Sequence, residues 1–255
     1  MCKVISVISC KGGVGKTTST VNISAYLQMQ GKKVCVVDLD AQHNLSRHFG
    51  VWAIPSAETP AITELIRAAI DDCPDETMQQ MVRDSICQTT TVDMIPSTVQ
   101  LSSLEAALSA ATSRERMLEY ILSFIKKDYD YIFLDCHPGL DLFSINALTA
   151  SDSVLIPVEA HILSSDGLEQ VEKMIRTVQR KLNPRLHIEG IIITKFQGHT
   201  SCCRQVYEIV KRDFGSHIHI FEEPVKYAIK VAEAPACCMN TPRTSSRHRH
   251  MPALH

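Results

Sequence analysis

Eight residues near the start of the chain, Lys11-Gly12-Gly13-Val14-Gly15-Lys16-Thr17-Thr18, combine two lysines, three glycines and two threonines directly after Cys10. Glycines without a Cβ let successive backbone N–H groups curl around an anion. A helix starting at the end of such a loop adds its partial positive charge. In that setting the Lys16 ammonium bridges the β- and γ-phosphates of a nucleotide, and the Thr17 hydroxyl ligates Mg²⁺. Two acidic positions fit the same chemistry. Asp38-Leu39-Asp40 closes the apolar run Val34–Val37, and Asp135 closes Tyr131–Leu134. Carboxylates at the carboxyl ends of strands stand where open α/β sheets bind ligands. A single aspartate ending a hydrophobic strand, as Asp135 does, is the arrangement that fixes a Mg²⁺-bound water.

The elements that must position these residues can be read from periodicity. Lys3–Ser9 is an apolar strand before the loop, and a helix runs from near Thr17 to about Gln30, with Gly31 as its cap. Val34–Val37 is continuously apolar, as a parallel strand buried on both faces should be. Short helices are expected over 62–70 and 78–86, a strand over 92–96 and a helix over 101–111. Met117, Leu118, Ile121, Leu122 and Ile125 carry a helical period through 114–127. Strands at 154–158 and 188–194 then alternate with helices at 144–150, 167–182 and 202–214. This alternation predicts a P-loop α/β fold, a mostly parallel seven-stranded sheet with helices on both faces and right-handed crossovers.

Bulk composition narrows the classes. The 255 residues suffice for one large domain. With 26 Lys+Arg against 28 Asp+Glu the net charge is −2, so a nucleic-acid surface must be local. No apolar run reaches the length of a membrane span, and Lys3 leads directly into strand, so a cytoplasmic location and no membrane partner are expected. Ten cysteines occur without a C-x-x-C pair, and reduced structural thiols are expected rather than a metal site.

The loop departs from an ordinary Walker A motif: Cys10 replaces its first glycine, and Lys11 is an additional lysine. This K-G-G-V-G-K-T-T form resembles the deviant Walker A of the ParA/Soj and MinD ATPases, and the resemblance runs from residue 1 to about 235. It implies a DNA-partition ATPase that binds ATP and Mg²⁺ and closes into an ATP-dependent sandwich homodimer. In that family the extra lysine, here Lys11, reaches the partner subunit's phosphates. The second motif of the family, D-x-D-P-Q-G-N, corresponds to Asp38–Asn44 with Ala41 and His43 substituted. The resemblance makes Asp40 the residue that orients the attacking water and Asp38 a support of the Mg²⁺ shell. It also implies a nucleoid-associated protein that binds DNA without sequence preference through His199, Arg204, Lys226 and Lys230. A centromere-bound ParB-type protein would stimulate hydrolysis. His137 stands where the family usually has proline, and reads either as a catalytic group or as a solvent-facing loop residue.

Rival functions each need something further. A MinD-like membrane ATPase needs a terminal amphipathic helix, which the proline- and histidine-bearing tail does not pattern. An iron–sulfur reductase related to nitrogenase iron protein needs cysteines that bridge a dimer, and only Cys136 stands beside the second acidic loop. The family pattern itself breaks off after Glu233-Ala234-Pro235, so residues 1–235 form the expected ATPase domain. Residues 236–255 are either a divergent, disordered end or the product of a reading-frame shift near Cys238. Codons for Cys238-Met239-Asn240 read from the third base of Cys238 yield Tyr or His, then Glu, which is similar to the family's approach to its last helix.

Overall fold

Six of the apolar runs become strands in the computed structural model, which describes residues 1–51, 59–161, 164–198 and 200–227. They are β1 (Lys3–Val7), β2 (Val34–Leu39), β4 (Asp93–Ile95), β5 (Tyr131–Cys136), β6 (Ser153–Glu159) and β7 (His187–Thr194). The seventh strand, β3 (Cys87–Gln88), is only two residues long and pairs antiparallel with β4, while the other pairings are parallel. Its shortness hides it from any period-2 reading, and the sequence suggests only the end of a helix there. The sheet order is β3-β4-β2-β5-β1-β6-β7. Strand β1 therefore has β5 and β2 on one side and β6 and β7 on the other. Its carboxyl end is where the glycine-rich loop departs.

The helices are α1 (Lys16–Met29), α2 (Asn44–His48), α3 (Ile62–Ile70), α4 (Asp75–Asp84), α5 (Glu105–Ala110), α6 (Met117–Ser123), α7 (Leu142–Ala150), α8 (Ser164–Lys181) and α9 (Ser201–Phe214). A 3₁₀ turn over Val99–Leu104 leads into α5, so the helix expected over 101–111 opens as 3₁₀ and continues as α-helix to Ala110. The run expected over 114–127 contracts to α6, with turns before and after it and Ser113 left-handed at φ 53°. The apolar period persists across those turns because Ile125 is still buried. At the end of α1, Gly31 takes φ 80°. There Gly31 N–H donates to Gln28 O at 2.9 Å and Lys32 N–H to Leu27 O at 3.1 Å. This is the glycine-capped helix end that the sequence suggests.

Side-chain alternation on the central strands sorts the core into two layers. Cys35, Val37 and Leu39 of β2 and Ile132, Leu134 and Cys136 of β5 join the layer that packs against α3 through α9. Val34, Val36 and Phe133 point the other way, into the smaller layer holding Val21 of α1 and Leu45 of α2. By the two-residue period of a strand, Asp38 and Asp135 share that second face with α1. The pairing register sets them side by side, Asp38 opposite Asp135 and Asp135 opposite Val7. Two acidic strand ends far apart in sequence thus converge beneath the loop.

The eight cysteines among the described residues are all free thiols, and Cys35, Cys136 and Cys203 are buried. Burial pushes the Cys35 and Cys136 thiols well above their ordinary range. No helix among the described residues is long and apolar enough to cross a membrane. The expectations for His199, Lys230 and the tail 236–255 fall outside the described residues.

Candidate nucleotide-binding site

Gly13 and Gly15 adopt φ 73° and 91°, the left-handed region open to glycine at little cost. A Cβ on Gly15 would stand at ordinary contact distance, 3.6 Å from Cγ2 of Thr194, so the backbone angle and not crowding by β7 calls for glycine. Thr194 ties the two together, its hydroxyl donating to Val14 O at 2.7 Å. Gly15 is the N-cap of α1, with no side chain capping it and no acidic residue in the first turn. The unsatisfied amides of that turn are left to an anion. Gly12 meets Pro138 of the β5–α7 loop, whose Cγ would be 3.9 Å from a Cβ at this glycine.

Lys16 is buried to 7 % exposure, and its ammonium donates to Lys11 O at 3.1 Å. Burial lowers its pKa, opposed chiefly by the nearby charge of Asp135. A lysine held this way is dehydrated in advance of an anion. Thr17 Oγ1 donates to Asp135 Oδ2 at 2.7 Å, and Thr20 Oγ1 reaches Asp135 Oδ1 at 3.3 Å. Thr18 points its carbonyl at Asn22 Nδ2, 2.8 Å away, as part of the helix. The loop lysine, the threonine and the strand-end carboxylate are therefore brought together.

Asp38 is fully buried, and both of its oxygens are engaged. Oδ1 accepts from Asp40 N–H at 3.0 Å, and Oδ2 accepts from Ser46 N–H at 2.9 Å and Ser46 Oγ at 2.7 Å. Ser46 Oγ in turn accepts from Ser97 N–H at 3.1 Å. Asp38 thus organises the β2–α2 loop and its joint with the segment after β4. Asp40 is half-buried in that loop, and its Oδ1 accepts from Gln42 N–H at 2.8 Å. His43 is left-handed at φ 43°, and its N–H donates to Asp40 O at 2.8 Å. The related motif has glycine at this position, so the histidine keeps the backbone geometry at a cost of roughly 1 kcal/mol.

His137 is half-buried rather than solvent-facing. Its Nε2 lies 2.8 Å from Asp141 Oδ2, and that bond raises the His137 pKa. Asp141 Oδ1 meanwhile accepts from Ser144 N–H at 3.1 Å and caps α7. The pair closes the β5–α7 loop on itself, across the segment that carries Pro138. Arg204 on α9 and Lys226 are both exposed. Phe196, bridged to Lys226, packs edge-on at 6.0 Å against Tyr207, one helical turn after Arg204. The backbone of Lys226 and the α9 turn that carries Arg204 thus meet through Phe196 and Tyr207.

Burial, and the charge of its neighbour Asp38, push Asp135 up to about 7. Burial alone leads for Asp38, which rises to about 6 despite its hydrogen bonds to Ser46. The donor set suits a divalent cation held by a hydroxyl, a carboxylate and nucleotide phosphates. Among the described residues no cluster of three protein ligands competes with that arrangement. Acids raised above their unfolded values contribute stability at low pH that is lost as pH climbs through the folded values. His137, also raised, acts in the same direction, while His48, held below its ordinary value by burial, opposes it. The nucleotide-free, metal-free protein should therefore lose a few kcal/mol between pH 5 and pH 8, several degrees of melting temperature. Differential scanning calorimetry across that range tests it; a flat or rising midpoint would mean the two carboxylates do not face each other unneutralised.

Thr20, Ser46, Asp141 and Thr194 were not legible as site residues, although Thr20 follows Thr17 by one helical turn and Asp141 stands at a helix start. Fold and loop define a P-loop nucleotide-binding protein, and residues 2–188 match the AAA domain family AAA_31. The sporulation initiation inhibitor protein Soj of Bacillus subtilis is 38% identical over 238 residues, 92% of this chain and 88% of Soj. A cobyrinic acid a,c-diamide synthase of Mycobacterium smegmatis, solved with bound ADP and magnesium, superposes with a TM-score of 0.77 at 27% identity, covering 92% of this chain and 89% of that one. A plasmid partition protein from Borrelia burgdorferi gives 0.71 at 27% identity, over 91% and 93%. The chain belongs to the ParA/Soj family of partition ATPases.

Proposed function

We propose that this chain hydrolyses ATP to ADP and phosphate in a DNA-partition cycle, as an ATP-dependent sandwich dimer that holds DNA non-specifically. The observation that carries the reading is the Thr17–Asp135 hydrogen bond beneath a loop with lysines at both ends. Lys16 grips the β- and γ-phosphates, with the amides of Gly12, Gly13, Val14, Gly15 and Thr18 around them. Thr17 and Asp135 hold Mg²⁺, which screens the phosphate charge, and Asp38 shapes the loop that presents Asp40. Asp40 orients water toward the γ-phosphate. Support comes from the relatives: one was solved with ADP and magnesium, and another is a plasmid partition protein.

DNA is met through Arg204 and Lys226, with Lys230 and His199 as further contacts, and a ParB-type protein stimulates turnover and release. Phosphate contacts of this kind are insensitive to sequence and weaken steeply with salt. Filter binding to two unrelated duplexes, with ADP and with ATP, tests the reading. Retention of both duplexes with ATP only is expected, and equal retention with ADP would contradict the cycle. A liposome-pelleting assay addresses the MinD-like alternative.

Lys11 separates monomer chemistry from dimer chemistry. Its carbonyl receives Lys16 Nζ, so its backbone is fixed whatever side chain it carries. Lys11→Ala should bind ATP within about threefold of wild type, while ATP-dependent dimerisation and hydrolysis fail. Light scattering decides: a normal dimer with ATP would reduce the extra lysine to a surface charge.

A further inference from the structure

Lys195 is a residue of this site to which the motifs assign nothing. It follows β7 in the left-handed region, φ 50°, a conformation a lysine adopts only at a cost. Its ammonium lies 3.9 Å from where a Cβ on Gly13 would stand. It also lies 3.4 Å from Glu159 Oε1 at the end of β6. The preceding Thr194 is bonded to Val14 O at 2.7 Å, so the end of β7 is anchored to the phosphate loop and the lysine is laid alongside it.

Strand order says which part of a nucleotide this lysine faces. Thr17, Asp135 and Asp40 mark the terminal-phosphate end, at the carboxyl ends of β5 and β2 on one side of β1. Lys195 and Glu159 stand at the ends of β7 and β6, on the opposite side of β1. A triphosphate lying along the loop with its γ-phosphate toward β5 directs its α-phosphate and nucleoside toward β6 and β7.

We infer that Lys195 is a nucleotide-binding residue that acts on the α-phosphate and nucleoside end common to ATP and ADP, exchanging part of its pairing with Glu159 for the ligand. This rests on the nucleotide-binding reading above. The experiment is calorimetric titration of ATP and of ADP, each with Mg²⁺, into wild type, Lys195→Met and Lys195→Arg. Methionine keeps most of the stem and removes the charge. Lys195→Met should weaken both nucleotides by the same factor, about three- to tenfold, and arginine should recover most of the loss. The loss should shrink as salt is raised. Unchanged affinities would overturn the proposal, as would a loss confined to ATP, which places the lysine at the γ-phosphate instead. Arginine no better than methionine would reduce the role to packing. A wild-type chain that binds neither nucleotide would overturn the site itself, and this role with it.

Discussion

Lys16→Ala should bind ATP about ten- to a hundredfold more weakly than the wild-type chain. The ammonium is nearly enclosed, at 7 % exposure, and donates to a carbonyl of its own loop. Little water has to be stripped from it when phosphate arrives, and charge-assisted contacts are worth roughly 1.5–3 kcal/mol. At about 1.4 kcal/mol per decade that gives the stated range. The fold should tolerate the change, because the substitution removes a buried charge whose pKa the site already depresses. A melting temperature near wild type together with a collapsed titration curve would separate lost binding from lost structure. Unchanged affinity would falsify the assignment of this loop.

Much of this site was legible in the sequence, because its strongest determinants are local. Glycines at 13 and 15 and a lysine–threonine pair at the helix start follow from how a backbone wraps an anion. The structure gives those glycines left-handed φ values and places Thr17 on Asp135. Strand runs such as Val34–Val37, within β2, announce themselves because burial on both faces demands uninterrupted apolar residues. What stayed hidden depends on contacts across long separations or on stretches too short to carry a period. Strand β3 has two residues, and α2 has five. The Thr194–Val14 bond spans 180 positions, and nothing near Thr194 hints at it. The family resemblance makes Asp38 a support of the metal shell, and its second task of holding the β2–α2 segment has no local signal in the sequence. The structure shows both of its oxygens occupied by the backbone and hydroxyl of its own loop, a consequence of where Ser46 lands in α2. His137 left two readings open, and its partner Asp141 lies one helical turn on, inside a loop where helical spacing does not apply.

Removing the Asp40 carboxylate should uncouple binding from turnover. One of its oxygens is committed to Gln42 N–H at 2.8 Å, which pins the side chain to its loop. The loop is fixed independently by Asp38, whose contacts to Ser46 and to the Asp40 N–H do not involve the Asp40 side chain. Asp40→Ala should therefore leave most of the loop backbone in place, losing the Gln42 N–H contact together with the group that aligns water. Positioned proton acceptors of this type contribute about a hundred- to ten-thousandfold to rate, so hydrolysis should fall at least about a hundredfold. Affinity for ATP should stay close to wild type, because Lys16, Thr17 and the loop amides are untouched. The variant should also dimerise with ATP and remain on DNA, since the step that releases it is blocked. That retained complex should still dissociate as salt is raised, with log affinity falling linearly against log salt concentration. Phosphate-release kinetics and DNA dissociation measured on one preparation decide the matter. Turnover at the wild-type rate, or rapid loss from DNA while ATP is still bound, would remove Asp40 from the chemistry and point to another residue of the β2–α2 loop.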